Sequence, residues 1–382
     1  MTDDQRQQVG NVKTSSIPQN IVLLAQLRSI PPRPRSIIFL IPGFPEDETD
    51  TTSLPAVQNY VAAFARAHPE LQTHVIAFQY PFARRTYAWK TATVHALAGG
   101  NKRGLRRLGT WLRAARTVAR IHRATAVQAL HSFWLTECTW VARLLSRLFR
   151  LGHVASIGGQ EAQASNPYFK AMNLNGAILT AGSAFAAETF AQHARRRVDH
   201  VIPLGLDTEY LAQIDAPAER DIDVLGVGSL LPVKNYAGFI DVVARLKPAF
   251  PQLRACIVGE GPLHDALQRQ IEERGLQEHI MLAGSVPRDA AFGYMLRSKV
   301  FLHTAHYESQ GYVFLEALFA GLPVVCFDVG YTGPTDRAVR CSSPQAMTDA
   351  VAALLRTPPP FHREPVFTTG DTVRAFEPLY GL

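Results

Sequence analysis

At 382 residues the chain is too long for one ordinary domain, and an apolar fraction of 47% is that of a protein burying two cores, which excludes a disordered or fibrous chain. The formal net charge of +7 hides an asymmetry: residues 1–200 hold 24 Lys and Arg against 11 Asp and Glu, the rest 15 against 21, so two domains with different partners are expected. No apolar run reaches the roughly 18 residues of a membrane span, and the polar, acidic start MTDDQRQQ lacks a signal-peptide pattern.

The first thirty-odd residues, ending in SIPPRPRS, read as a flexible, Pro-rich lead-in over 1–35. Short apolar runs then alternate with amphipathic stretches. Strands are predicted at SIIFLI, THVIAFQY, AVQALHSF, HVASIG, AILTAG and DHVIPLG, with helices over 54–67, 105–123 and 133–149. The segment PLGLDTEYLAQIDAPAERD marks a break before a fresh strand at Asp221. Further strands follow at DIDVLGVG, RACIVGEG, HIMLAGS, KVFLHT and PVVCFD, with helices over 235–249 and 262–274. Such alternation means α/β architecture: two doubly wound parallel sheets, one over 36–205 and one over 206–369, leaving a cleft between the carboxyl ends of their strands where ligands bind.

The stretch ESQGYVFLEALFAGLPVV places Glu308 and Glu316 eight residues apart. Val313, Phe314, Ala317 and Leu318 recur at helical spacing and Gly321 supplies a stop, so Glu316 lies in a packed helix while Glu308 lies in the loop before it. A buried carboxylate needs hydrogen-bond donors, which the hydroxyls of a ribose would supply. Gly311 allows close approach of backbone to ligand, and the N–H groups around Gln310, Gly311, Tyr312 and Val313 suit a diphosphate. The plainer reading, a loop glutamate and a helix glutamate paired with a cation, stands beside it. In VGSLLPVKN, Lys234 falls between strand and helix, where a cation meets phosphate. In IVGEGPLHDAL, Gly259 and Gly261 occupy a strand-to-helix turn, which a tight turn alone also explains; the third glycine of a dinucleotide fingerprint is missing, which argues against a dehydrogenase.

Taken in order, PLGLDTEYL, VGSLLPVKN, IVGEGP and ESQGYVFLEALFAGLPVV resemble the linking and donor-site motifs of the family 4 (group 1) glycosyltransferases, over roughly residues 126–330. The resemblance implies the GT-B fold, two Rossmann-like domains facing a central cleft, with the final segment FEPLYGL in a helix (370–382) that crosses back onto the first domain. It implies a retaining transfer without a metal or other cofactor, with the nucleotide-sugar donor in the second domain and the acceptor in the first. Carried over by position, Glu308 contacts the transferring sugar, Glu316 the ribose and Lys234 the diphosphate. Two positions depart from the pattern: Ser229 stands where the family usually has arginine, and in SIGGQEAQASN Gly158 stands where it often has histidine, with Gly159 and Glu161 matching the glycine and acid that follow.

Other groups admit two readings each. His303 and His306, three apart at a strand end, contact substrate or pack; His131 in LHSFW touches the acceptor or packs; Glu137 reads as structural. The acidic run Glu46, Asp47, Glu48 and Asp50 reads as a solvated loop. The four cysteines, Cys138, Cys256, Cys326 and Cys341, lack metal or redox spacing and read as buried thiols in a reducing cytoplasm. Residues 102–123 set Leu105, Leu108, Trp111, Leu112, Ala115 and Val118 on one face among arginines, which is either a solvated helix or one that meets an anionic membrane and a lipid-linked acceptor. No nucleic-acid motif is visible. The sequence therefore points to a cytoplasmic glycosyltransferase, peripheral on the inner membrane face, acting on a glycan, lipid-linked or small-molecule acceptor. The alternative is a catalytically weakened nucleotide-sugar-binding partner or scaffold.

Overall fold

The computed structural model describes residues 33–382 apart from 103, 165, 167, 169–172, 195 and 218; the lead-in expected over 1–35 lies, but for its last three residues, outside the described residues. The first sheet is built from β1 (Arg35–Gly43), α1 (Pro55–Ala67), β2 (Leu71–Tyr80), β3 (Arg85–Trp89), β4 (Ala92–Ala96), α2 (Leu108–Ala124), β5 (Ala126–Phe133), α3 (Glu137–Phe149), β6 (Gly152–Ile157), β7 (Ile178–Ala181), α4 (Ala184–His193) and β8 (His200–Val201). Its strand order is β3-β4-β2-β1-β5-β6-β7-β8, parallel except for the β3–β4 hairpin. Both faces of β1 are covered. Ile37, Phe39 and Ile41 pack toward Tyr60 and Phe64 of α1, while Ile38 and Leu40 pack toward Ala114 and Val118 of α2 and Val141 of α3. A run of apolar residues without alternation is what burial on both faces demands.

The second sheet comes from α5 (Thr208–Ala212), β9 (Ile222–Val227), α6 (Tyr236–Leu246), β10 (Ala255–Val258), α7 (His264–Glu273), β11 (Ile280–Gly284), α8 (Arg288–Leu296), β12 (Ser298–His303), α9 (Tyr312–Phe319), β13 (Val324–Phe327), β14 (Ala338–Cys341) and α10 (Pro344–Arg356). The order β11-β10-β9-β12-β13-β14 is parallel throughout. The topology reverses beside β9, and ligand crevices form at such switch points.

The final helix α11 (Thr369–Tyr380) opens with a Thr368–Asp371 capping box and lies against α1, its Phe376 ring 5.3 Å from that of Tyr60. The chain thus crosses between sheets twice at one place, where Leu206 bridges Thr368 and any side chain at Gly205 would meet the Thr368 carbonyl. No helix among the described residues is long and apolar enough to cross a membrane.

One sequence reading needs correction. Residues 104–107 wind as a tighter 3-10 turn before α2 begins, which shifts the phase of the face predicted for 105–123. Val118 is buried, and the Trp111 indole turns inward, donating to Glu137 at 2.6 Å and packing on Trp140. Leu105, Leu108 and Leu112 remain exposed. The acidic loop is tied down from within and from β2 and β3: Asp47 accepts from Thr49, Asp50 from Thr52, Ser53 and the Tyr80 hydroxyl, and Glu46 pairs with Arg85. All four cysteines are buried and unbridged.

Candidate functional site

The carboxyl ends of both sheets face one cleft. From the second sheet, the loop after β12 and the first turn of α9 enter it with Glu308, Gln310, Gly311 and Tyr312; from the first come Phe133, Trp134, Ser156, Gly158 and Thr180. The walls are held together across the cleft. Tyr307 donates to the Gly159 carbonyl at 2.7 Å, Asn59 of α1 donates to the Tyr312 hydroxyl at 2.9 Å, and Ser183 donates to the Ser309 carbonyl.

Lys234 and Glu308 form an ion pair at the ends of β9 and β12, their side chains 21% and 16% exposed. His303, buried at the end of β12, stands with Nε2 3.5 Å from the same carboxylate oxygen. Burial pushes the Glu308 carboxyl upward, but the His303 imidazole and the Lys234 ammonium outweigh it and hold the group down at about 2. Glu308 is therefore a carboxylate at neutral pH, an acceptor of hydrogen bonds. Burial also pushes His303 below its ordinary value. His306 lies apart, stacked on Phe327, and no described group of acidic, histidine or cysteine side chains could hold a metal ion.

Glu316 sits in α9 as expected and is paired with a cation, as the plainer reading had it; that the cation is Arg288 was not read from the sequence. Arg288, the first residue of α8, donates through Nε to Glu316 at 3.1 Å, and its guanidinium lies over the Tyr312 ring. The two side chains are 13% and 14% exposed. Burial pushes Glu316 above the usual carboxylate range and Arg288 pulls it back.

Gly311 begins α9 with φ 73°, and any side chain there would strike the Phe314 ring and Glu308. Its neighbour Gln310 turns its amide away to clasp both backbone groups of Leu204, so only its main chain can serve a ligand. Val313 follows Tyr312 in the first turn, whose N–H groups lack intrahelical acceptors. Gly259 and Gly261 are required by close backbone approach: side chains there would meet the Gly228 carbonyl and the Leu230 main chain. Ser229 is exposed in the same loop cluster.

On the other wall, Glu161 is buried and accepts from the Gly158 N–H at 2.6 Å, so it holds its own turn. Burial raises its pKa while backbone donors oppose the rise. Beside this turn, the Trp134 indole fills the space next to Gly158 and Gly159; a side chain at Gly158 would begin 2.8 Å from that ring. His131 is wholly buried, between Tyr380 and Ser156, and reaches the cleft only through Ser156. Glu137 is structural, taking hydrogen bonds from Gln79 and Trp111.

Two Rossmann-like domains facing a cleft, with the last helix returned to the first, define the GT-B fold. The family described as glycosyl transferases group 1 matches residues 207–358, a stretch that spans the second sheet and its helices. Sucrose-phosphate synthase from Thermosynechococcus elongatus superposes with a TM-score of 0.68 at 17% identity, over 91% of this chain and 96% of that one. An N-acetylgalactosamine-N,N'-diacetylbacillosaminyl-diphospho-undecaprenol 4-alpha-N-acetylgalactosaminyltransferase of Campylobacter jejuni is 34% identical over 125 residues, 32% of this chain and 33% of that enzyme. A GDP-mannose-dependent alpha-(1-6)-phosphatidylinositol monomannoside mannosyltransferase of Mycolicibacterium smegmatis is 27% identical over 179 residues, 41% of this chain and 47% of that enzyme. The match thus spans less than half the length of either curated relative.

Proposed function

We propose that the chain is a retaining, metal-independent family 4 glycosyltransferase that moves a sugar from a nucleotide-sugar donor to an acceptor held by the first domain. The observation that carries this is the Lys234–Glu308 pair at the mouth of the second sheet, with Glu316 in the helix that follows. The nucleotide would lie across the ends of β9, β10 and β12, its ribose toward Glu316 and its diphosphate toward Lys234 and the first turn of α9. Negative charge grows on the diphosphate as the sugar departs. Lys234, oriented by Glu308, and the helix N–H groups neutralise it in place. Glu308 orients the sugar through its hydroxyls. The acceptor attacks from the leaving-group face, and the departing phosphate oxygen takes its proton.

The same proposal places the chain at the cytoplasmic membrane face, with a membrane-associated glycan or lipid as acceptor. Leu105, Leu108 and Leu112 are 82%, 48% and 50% exposed beside the exposed Arg106, Arg116, Arg120 and Arg123, a pairing of apolar and basic groups that suits an anionic interface. Both curated relatives described above carry lipid-linked acceptors in their names. The test is calorimetric titration of UDP-glucose, UDP-N-acetylglucosamine and GDP-mannose with and without EDTA, followed by turnover. At least one should bind unaffected by chelation, and Glu308→Gln should lower turnover far more than nucleotide affinity. A chain that binds none refutes the reading.

A second reading has its own support. Arg288 already occupies Glu316, and Ser229 supplies no charge, which favours a donor-binding partner or scaffold without turnover. Saturable donor binding with neither transfer nor hydrolysis would establish it.

A further inference from the structure

A polar chain runs from the cleft into the aromatic core of the first domain. Thr180 Oγ1 lies 2.6 Å from Ser156 Oγ, Ser156 Oγ 2.7 Å from His131 Nε2, His131 Nδ1 2.6 Å from the Tyr380 hydroxyl, and that hydroxyl 2.5 Å from the hydroxyl of Tyr60. Ser156 and Thr180 line the cleft; Tyr60, His131 and Tyr380 are buried among Phe39, Phe64, Phe133 and Phe376. The hydrogens can be counted. The neutral imidazole carries one N–H and each hydroxyl one O–H. Tyr380 is the one described partner of the Tyr60 hydroxyl, so Tyr60 donates to it. Tyr380 then gives its own hydrogen to His131 Nδ1, the imidazole proton sits on Nε2, and Nε2–H donates to Ser156. The reverse polarity would strand the Tyr60 hydrogen in an apolar core, at the cost of an unpaired buried donor. Between Ser156 and Thr180 one hydrogen serves their mutual bond. The other is left for the cleft.

We propose that this relay fixes the Ser156–Thr180 pair as a single hydrogen-bond donor in a mainly apolar wall, and that it positions an uncharged oxygen of a ligand with an apolar body, an amphiphilic glycoside. The apolar body would rest against Leu54, Trp134, Ile202 and Leu204. This assignment rests on the acceptor-side reading of the first domain.

The test uses the full chain. Long-range nitrogen–proton NMR on histidine-labelled protein, with His131 assigned by loss of its signal in His131→Gln, should show the Nε2–H tautomer. An Nδ1–H tautomer or a charged ring overturns the relay. Octyl glycosides of glucose, mannose and N-acetylglucosamine, kept below micelle formation, are then titrated while the Trp134 indole signal is followed. At least one should bind, Ser156→Ala combined with Thr180→Val, which removes both hydroxyls, should weaken it roughly fivefold to tenfold, the scale of one hydrogen bond, and Thr180→Val alone, which leaves the Ser156 hydrogen to the cleft, should weaken it less. Failure of all three glycosides to bind, or an unchanged affinity in the double variant, overturns the assignment. Nucleotide-sugar binding and turnover, measured on the same samples, report separately on glycosyl transfer.

Discussion

Replacing Arg288 with methionine isolates the buried pair of the donor site. The substitution keeps an apolar stem over Tyr312 but leaves the Glu316 carboxylate, 14% exposed, without its cation. Breaking such a pair from one side costs about 3–5 kcal/mol, because the remaining charge has lost both water and partner. With roughly 2–4 °C lost per kcal/mol in a domain of this size, the second domain should melt about 6–20 °C lower at pH 8. The cost should depend on pH. Without Arg288 only burial acts on Glu316, so its folded pKa rises further above the unfolded value. A folded state that binds the extra proton loses stability as pH rises through that window and regains it as pH falls. The deficit should therefore shrink between pH 8 and pH 5. Arg288→Met combined with Glu316→Met, which removes both charges, should melt close to the parent. Calorimetry of the three proteins at both pH values decides the matter. A single variant that melts with the parent at pH 8, or a double variant as unstable as the single, would refute the reasoning.

Other outcomes follow from the same geometry. Lys234→Ala should lower turnover by at least about a hundredfold, the scale of one electrostatic contact in a transition state, while the fold persists; steady-state kinetics check it. Glu308 has a folded pKa of about 2 against an ordinary 4.5, so the stability it contributes is present above pH 4.5 and lost as pH falls toward 2; Glu308→Gln should flatten acid unfolding curves across that interval. Gly158→His should destabilise the first domain because its side chain would begin 2.8 Å from the Trp134 ring, and adding Trp134→Ala should recover part of the loss in thermal melts. Changing Arg106, Arg116, Arg120 and Arg123 to glutamine should abolish co-sedimentation with anionic vesicles at physiological salt and leave nucleotide binding intact; Arg107 is omitted because it donates to Tyr168.

The sheets were legible where apolar runs end in glycine or proline, as in SIIFLIPG before the first loop. The β3–β4 hairpin was not. Its turn has no Asn-Gly or Gly signal; Lys90 takes the left-handed conformation instead, at φ 48°. DHVIPLG yields only the two-residue β8, because Leu204 and Leu206 beyond it pair with Gln310 and the segment returning to α11. The local places of Lys234, between a strand and a helix, and of Glu308 and Gly311, just before another helix, were readable because neighbours in sequence set each of them. Arg288 was hidden because its partner is 28 residues away on another helix. The clasp of the Gln310 side chain on Leu204 went unread for a similar reason. Its partner is a backbone segment whose path no local pattern discloses.

The return of α11 has a consequence for how the molecule is made. Tyr60 and Tyr380, joined by a hydrogen bond, are 320 positions apart, and Phe376 closes the same aromatic cluster. During synthesis the first sheet therefore leaves the ribosome with a groove of Tyr60, Phe64 and His131 uncovered until the whole second sheet has followed. At about 5–20 residues per second that interval lasts on the order of tens of seconds. A fragment cut at the break between the sheets would carry the groove open permanently, and such a fragment would be a client for chaperones rather than a stable domain.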